Sequence, residues 1–110
     1  MPAIPEIGVD ELAERLSGAA TVIDVRETDE YNAGHVPGAT NLPLSTLAER
    51  SAEVPTDRPV LVICQKGGRS MRACEHLVQF GCDVTNVAGG TGAWVESGRP
   101  VHAGPDTGPS

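Results

Sequence analysis

The sequence predicts an α/β fold: a five-stranded, mostly parallel sheet flanked by helices on both faces. Residues 60–63, Val-Leu-Val-Ile, form an unbroken and mostly β-branched apolar run. That is the pattern of a parallel strand buried on both faces. A helical pattern follows at once, with Met71, Cys74, Leu77 and Val78 on one apolar face. Short apolar strands alternate with such helices along the whole chain, as a sheet built from crossover connections requires.

Each element has its own signals. Residues 4–7 read as a short edge strand, where prolines are tolerated. Val9, Leu12, Ala13 and Leu16 share a helical face; Gly8 is an acceptable N-cap, Glu11 stands at the capping-box position, and Ser17-Gly18 closes the helix. Residues 21–26 read as a second strand. Residues 27–32 read as a short helix, capped by Thr28 and stopped by Gly34. The stretch 35–38, His-Val-Pro-Gly, is a turn. A third strand is expected at 39–44, then a helix over 46–53 capped by Ser45. After the strand at 60–63, a helix runs from Arg69 to the stop at Gly81. Residues 83–88 read as a fifth strand. Gly89-Gly90-Thr91-Gly92 opens a last helix, which carries Trp94 and ends at Gly98. One domain is expected over 1–102. Gly104, Pro105, Gly108 and Pro109 give 103–110 the composition of a disordered tail.

Composition narrows the function. A chain of 110 residues suits one domain that buries roughly 65% of its unfolded surface. A net charge of −7 argues against nucleic acid or an anionic membrane as partner. The 3 cysteines lack C-x-x-C spacing, so neither a disulfide framework nor a zinc site is expected. Free thiols suit a reducing, cytoplasmic setting. The first residues have no basic region and no apolar stretch, so no signal peptide is expected. No apolar run approaches transmembrane length.

The chemistry concentrates where the central strand stops. Cys64 follows that strand at its carboxyl end, the edge at which open α/β sheets bind ligands. Gly67 and Gly68 can adopt positive φ and turn successive backbone N–H groups inward. Those N–H groups, the helix N-terminus, Lys66 and Arg69 all favour an anionic sulfur. The thiolate is the nucleophilic form. Blander roles compete at several positions. Lys66 could be a solvated surface charge, and Arg69 could brace the loop through carbonyls. Cys74 falls on the core face of its helix, and Cys82 follows a helix stop; both read as inert. Gly89-Gly90 lacks the spacing of a nucleotide-binding loop.

Three stretches together resemble the single-domain rhodanese family of sulfurtransferases. The first is Asp24-Val25-Arg26-Glu27, Glu30-Tyr31, then Gly34-His35-Val36-Pro37-Gly38-Ala39 and Asn41. The second is Cys64-Gln65-Lys66-Gly67-Gly68-Arg69-Ser70. The third is Asn86-Val87, Gly89-Gly90, Ala93-Trp94 and Gly98-Arg99-Pro100-Val101. The resemblance implies transfer of a sulfane sulfur from thiosulfate or a similar donor, through a Cys64 persulfide, to an acceptor such as cyanide or a thiol. It implies that Gln65, Lys66, Gly67, Gly68, Arg69 and Ser70 cradle that sulfur. A His with a carboxylate could serve as a general base, but in the rhodanese pattern Asp24, Arg26 and His35 look like structural braces. The partners implied are a small anionic donor and a thiophilic acceptor, which could be a sulfur-accepting protein; no metal or organic cofactor is implied. Phosphatases and arsenate reductases of the same fold resemble this design with one more loop residue, so they are the weaker reading. A non-enzymatic sulfur carrier or regulatory module is the other alternative.

Overall fold

A strand that is apolar on every side must lie in the middle of a sheet covered on both faces, and that is where residues 59–63 sit. In the computed structural model, which describes residues 3–104, the strands are β1 (Glu6–Ile7), β2 (Thr21–Asp24), β3 (Thr40–Asn41), β4 (Pro59–Ile63) and β5 (Asp83–Val87). They form one sheet in the order β1-β5-β4-β2-β3, and every pairing is parallel. β4 is registered on both sides: Val62 lies beside Ile23 of β2 and Asn86 of β5. The helices are α1 (Val9–Leu16), α2 (Thr28–Ala33), α3 (Leu44–Arg50), α4 (Gly68–Val78) and α5 (Gly90–Glu96).

The two-residue period of β4 divides the core. Val60, Val62 and Cys64 join Leu47 of α3 and Ala73, Cys74 and Leu77 of α4. Leu61 and Ile63 join Leu12 of α1, Tyr31 of α2 and Trp94 of α5 on the opposite face. Burying each such side chain contributes about 1.5–3 kcal/mol. Trp94 also donates its indole N–H to the Pro100 carbonyl at 2.8 Å, which ties the C-terminal segment to α5.

Several boundaries differ from the sequence reading, each for a local reason. β2 stops at Asp24, short of Arg26, because the Asp24 carboxylate takes the Arg26 backbone N–H at 3.0 Å and turns the chain off the sheet. Glu27, not Thr28, occupies the N-cap of α2: its N–H donates to the Glu30 carboxylate, while the Thr28 hydroxyl turns to Asn41. β3 shrinks to Thr40–Asn41, the part that reaches β2. Pro43, rather than Ser45, caps α3, which begins at Leu44; the Ser45 hydroxyl donates to Glu27 instead. Past Arg50 the chain tightens into a 3₁₀ turn, Ser51–Glu53, where the Ser51 hydroxyl donates to the Leu47 carbonyl at 2.8 Å. β1 is only Glu6–Ile7, although the Pro5 carbonyl still accepts the Asn86 N–H. The strand expected to reach residue 88 ends at Val87. Gly104, assigned by composition to the tail, donates its N–H to the Asn32 carbonyl at 2.7 Å. Residues 105–110 of that tail lie outside the described residues.

Asp24 and Arg26 form a fully enclosed ion pair, with Arg26 Nη2 2.9 Å from Asp24 Oδ2. Removing one partner strands a buried charge. Asp24→Ala is therefore expected to cost about 3–5 kcal/mol, read as a lower urea midpoint at constant slope. An unchanged midpoint would show that the pair does not hold this end of the sheet together.

Candidate active site

β4 delivers Cys64 to the carboxyl edge of the sheet, 1% exposed. The chain must then reverse into α4 within three residues. Gly67 makes this possible: its φ of +116° lies in the region open to glycine and strained for other residues. The turn swings the Gly67 N–H back onto Cys64 Sγ at 3.1 Å. The Ser70 hydroxyl, one turn into α4, reaches the same sulfur at 3.3 Å. Gly68, expected to share the positive φ, is instead the first helical residue, one position ahead of the start expected at Arg69.

The loop carbonyls face the other way because α5 takes them. Thr91 N–H donates to the Cys64 carbonyl at 2.8 Å, and Gly92 N–H to the Gln65 carbonyl at 2.9 Å. These donors belong to the first turn of α5 and have no partners within their own helix. The approach requires glycine at position 90, whose φ is +59°; a Cβ there would stand 2.3 Å from the Cys64 carbonyl oxygen. On the far side, Asn86 Nδ2 donates to the Gly67 carbonyl at 3.2 Å and to Glu6 at 2.8 Å. With its carbonyls held outward, the loop presents N–H groups to the sulfur.

Burial raises the Cys64 pKa, but the donors outweigh it and the net shift is downward. The Ser70 hydroxyl pulls hardest, followed by the backbone N–H groups of Ser70, Gly67 and Lys66. Cys74 has no such donors, and burial pushes its thiol up to about 12. Cys82, also buried, is raised by burial alone.

The two basic residues part company. Arg69 makes a two-pronged ion pair with Glu30, at 2.7 and 2.9 Å. The Arg69 hydrogen bond holds the Glu30 carboxyl at about 2, and the same contact raises Arg69 further. Arg69 thus clamps α2 to the start of α4. Lys66 is exposed and, among the described residues, has no ion-pair partner. Gln65 accepts from Arg26 Nη1 at 3.2 Å, which links the loop to the buried pair.

Asp24, Arg26 and His35 sit behind the loop, and none of their hydrogen bonds reaches Cys64. Arg26 also donates to the Gly34 carbonyl, and Asn41 donates to the carbonyls of both Asp24 and Arg26. His35 Nδ1 donates to the Tyr31 carbonyl at 2.9 Å, and its ring stacks on Tyr31 at 3.6 Å. Glu30, Asn86, Gly90 and Gly92 carry positioning work that reading the residues left unassigned. The signal present for the glycines was their clustering at the start of a helix. Glu30 and Asn86 fall within the stretches that carry the family resemblance, but their partners, Arg69 and Gly67, are distant in the chain, so reading the residues locally gave them no role.

The family model described as Rhodanese-like domain matches residues 8–97. A protein named sulfurtransferase from Allochromatium vinosum is 37% identical over 103 residues, spanning 91% of this chain and 96% of the relative. A thiosulfate sulfurtransferase from Shewanella oneidensis is 31% identical over 99 residues, spanning 88% of this chain and 98% of the relative. The crystal structure of a rhodanese-related protein from Thermoplasma volcanium superimposes with a TM-score of 0.83 at 38% identity, covering 88% of this chain and 96% of that one. The family match covers β2 to β5, all five helices and the Cys64 loop together, and the chain belongs to the rhodanese-like family.

Proposed function

We propose that this chain is a sulfurtransferase that works through a persulfide on Cys64, with thiosulfate or a similar anionic sulfane donor. The observation that carries this reading is the donor set on one sulfur: the Ser70 hydroxyl and the N–H groups of Ser70, Gly67 and Lys66 converge on Cys64 Sγ. Such a cradle stabilises the thiolate before reaction and an outer anionic sulfur after it. The Cys64 thiolate attacks the outer sulfur of thiosulfate; a new S–S bond forms and sulfite leaves with the electron pair of the bond that breaks. A nucleophilic acceptor then attacks the outer sulfur and releases the Cys64 thiolate. No separate general base is needed when the thiol is already ionised. Pairing of Arg69 with Glu30 weighs against phosphatase or arsenate chemistry, because it engages the cation an oxyanion in the loop would call on.

Incubation with thiosulfate is expected to add the mass of one sulfur atom, mapped to Cys64. Cys64→Ser should lose both adduct and turnover, since an alcohol cannot carry the persulfide. An adduct retained in that variant would sink the assignment.

Limited alkylation should rank the thiols. Cys64 is expected to react at a pH below the ordinary thiol range near 8.5, while Cys74, at about 12, stays protonated and silent in the folded protein. Denaturation should erase the preference. Native labelling that falls first on Cys74 or Cys82, read by peptide mapping, would overturn the assignment of the nucleophile.

Lys66→Ala should reduce kcat/KM for thiosulfate by about tenfold, the lower range of electrostatic steering. The wild-type rate at dilute donor should fall with added salt, which shortens the screening length to about 10 Å at 0.1 M. If both leave thiosulfate kinetics unchanged, Lys66 plays no part in capturing the donor.

A further inference from the structure

α3 and α4 cover the same face of the sheet, where Leu47 shares a core cluster with Ala73, Cys74 and Leu77. Between the two helices lies a groove of about 270 Å³. Leu44, Leu47 and Ala48 line it from α3, and Arg72 and His76 line it from α4. Leu47, 2% exposed, is its enclosed apolar floor. Ala48 is exposed, and its single methyl leaves that side of the groove open.

Two observations give the groove a ligand chemistry. The first is charge. Arg15, Arg26, Arg50, Arg58, Arg69 and Arg99 each hold an acidic partner, whereas Arg72 holds none among the described residues. An unmatched guanidinium beside an apolar floor suits a carboxylate that carries an apolar body. The second is a wall fixed in advance. The Ser51 hydroxyl gives its one proton to the Leu47 carbonyl at 2.8 Å, so it accepts from His76 Nε2 at 3.0 Å. Phe80 packs on the same ring, with centroids 5.0 Å apart. A ring held from two sides loses little further freedom when a ligand lies against it.

Length follows from the helices. Leu44 and Ala48 are four residues apart on α3, as are Arg72 and His76 on α4, so each side spans about 6 Å. An extended chain of about five carbons covers that distance at about 1.5 Å per bond. Phe80, 52% exposed, lies four residues beyond His76 and continues the apolar wall.

We propose that this groove binds an aliphatic monocarboxylate of about five to eight carbons, with its carboxylate on Arg72 and its chain along Leu44, Leu47, Ala48 and the His76 ring. One cation matches one negative charge, and a chain of net charge −7 disfavours a dianion such as a phosphate ester. The site uses none of the groups that face Cys64 Sγ, so it stands apart from the sulfurtransferase reading.

The test titrates the full chain and follows its amide resonances. The ligands are butanoate, hexanoate and octanoate, with hexanol and hexylamine for comparison. Hexanoate should shift the amides of Ala48, Arg72 and His76 and saturate. Kd should fall by about two- to threefold per added methylene, short of the fourfold or so that full burial gives. Arg72→Gln should weaken hexanoate by about two- to fivefold, the size an exposed ion pair supports, and leave hexanol unchanged. Hexylamine should bind more weakly than hexanol. Ala48→Trp should fill the groove and abolish hexanoate binding at an unchanged urea midpoint, because an exposed position tolerates substitution. Absence of a saturable shift, affinity independent of chain length, equal binding of hexanoate and hexylamine, or hexanoate binding that survives Ala48→Trp would each overturn the site. Cys64→Ser should bind hexanoate as wild type does. Loss of binding in that variant would overturn the site too, whereas loss of its sulfur adduct alone bears only on the sulfurtransferase reading.

Discussion

The site depends on which way the peptide dipoles of the Cys64 loop point. An isolated loop of this length has no reason to hold its N–H groups together, since they repel one another. The structure solves this from outside. Two N–H groups at the start of α5 take the carbonyls of Cys64 and Gln65, and the Asn86 amide takes that of Gly67. With the carbonyls engaged, the N–H groups are left to converge on the sulfur. The glycine at position 90 exists to permit this contact, because any side chain there would strike the Cys64 carbonyl. The loop conformation thus depends on an element some twenty-five residues further along the chain, packed against it by the sheet order β5-β4-β2.

Electrostatics at the site are local. The chain carries a net charge of −7, which opposes the approach of an anion. Arg69 does not offset this, because Glu30 neutralises it on the spot. What remains at the loop is a set of backbone dipoles, one hydroxyl and the ammonium of Lys66, which has no ion-pair partner among the described residues. Dipoles act over short distances and are little screened by salt, whereas Lys66 acts over longer distances and is screened. On the proposed sulfurtransferase reading, this arrangement separates capture of a donor from stabilisation of the reacting sulfur. The Arg69–Glu30 pair instead fixes the first turn of α4 against α2, and so fixes Ser70.

Much of this was legible in the sequence where the signal was local. The all-apolar run at 60–63 identified the central strand, and the residue after it is the cysteine whose sulfur the loop donors face. Helical spacing placed Cys74 and Leu77 on the core side of α4. What could not be read locally were interactions closed by the fold. Arg69 and Glu30 are far apart in sequence, so a cation facing the sulfur or bracing loop carbonyls was expected where an ion pair is found. Thr28 and Ser45 have ideal capping side chains, yet both hydroxyls go to tertiary partners, Asn41 and Glu27. Propensity put the caps at those residues; competing hydrogen-bond acceptors moved them. Gly67 and Gly68 look equivalent on paper, and only one can be the last residue before a helix.

Cys64 and Cys74 offer an internal comparison of what the loop does. Both belong to the same core cluster, and both are essentially inaccessible. Burial acts on Cys74 with no compensating donor, reinforced by the nearby negative charges of Glu75, Cys64 and Glu6, and lifts its thiol to about 12. Burial is also the largest single influence on Cys64, and in the same direction. The combined pull of the Ser70 hydroxyl and the inward N–H groups must first cancel that penalty and then exceed it. A buried thiol is the poorest starting point for a nucleophile, yet a dry, enclosed position is also where fixed donors act most strongly. Burial and donors therefore act together: the enclosure that raises Cys74 on α4 also strengthens the hydrogen bonds that lower the pKa of Cys64 at the end of β4.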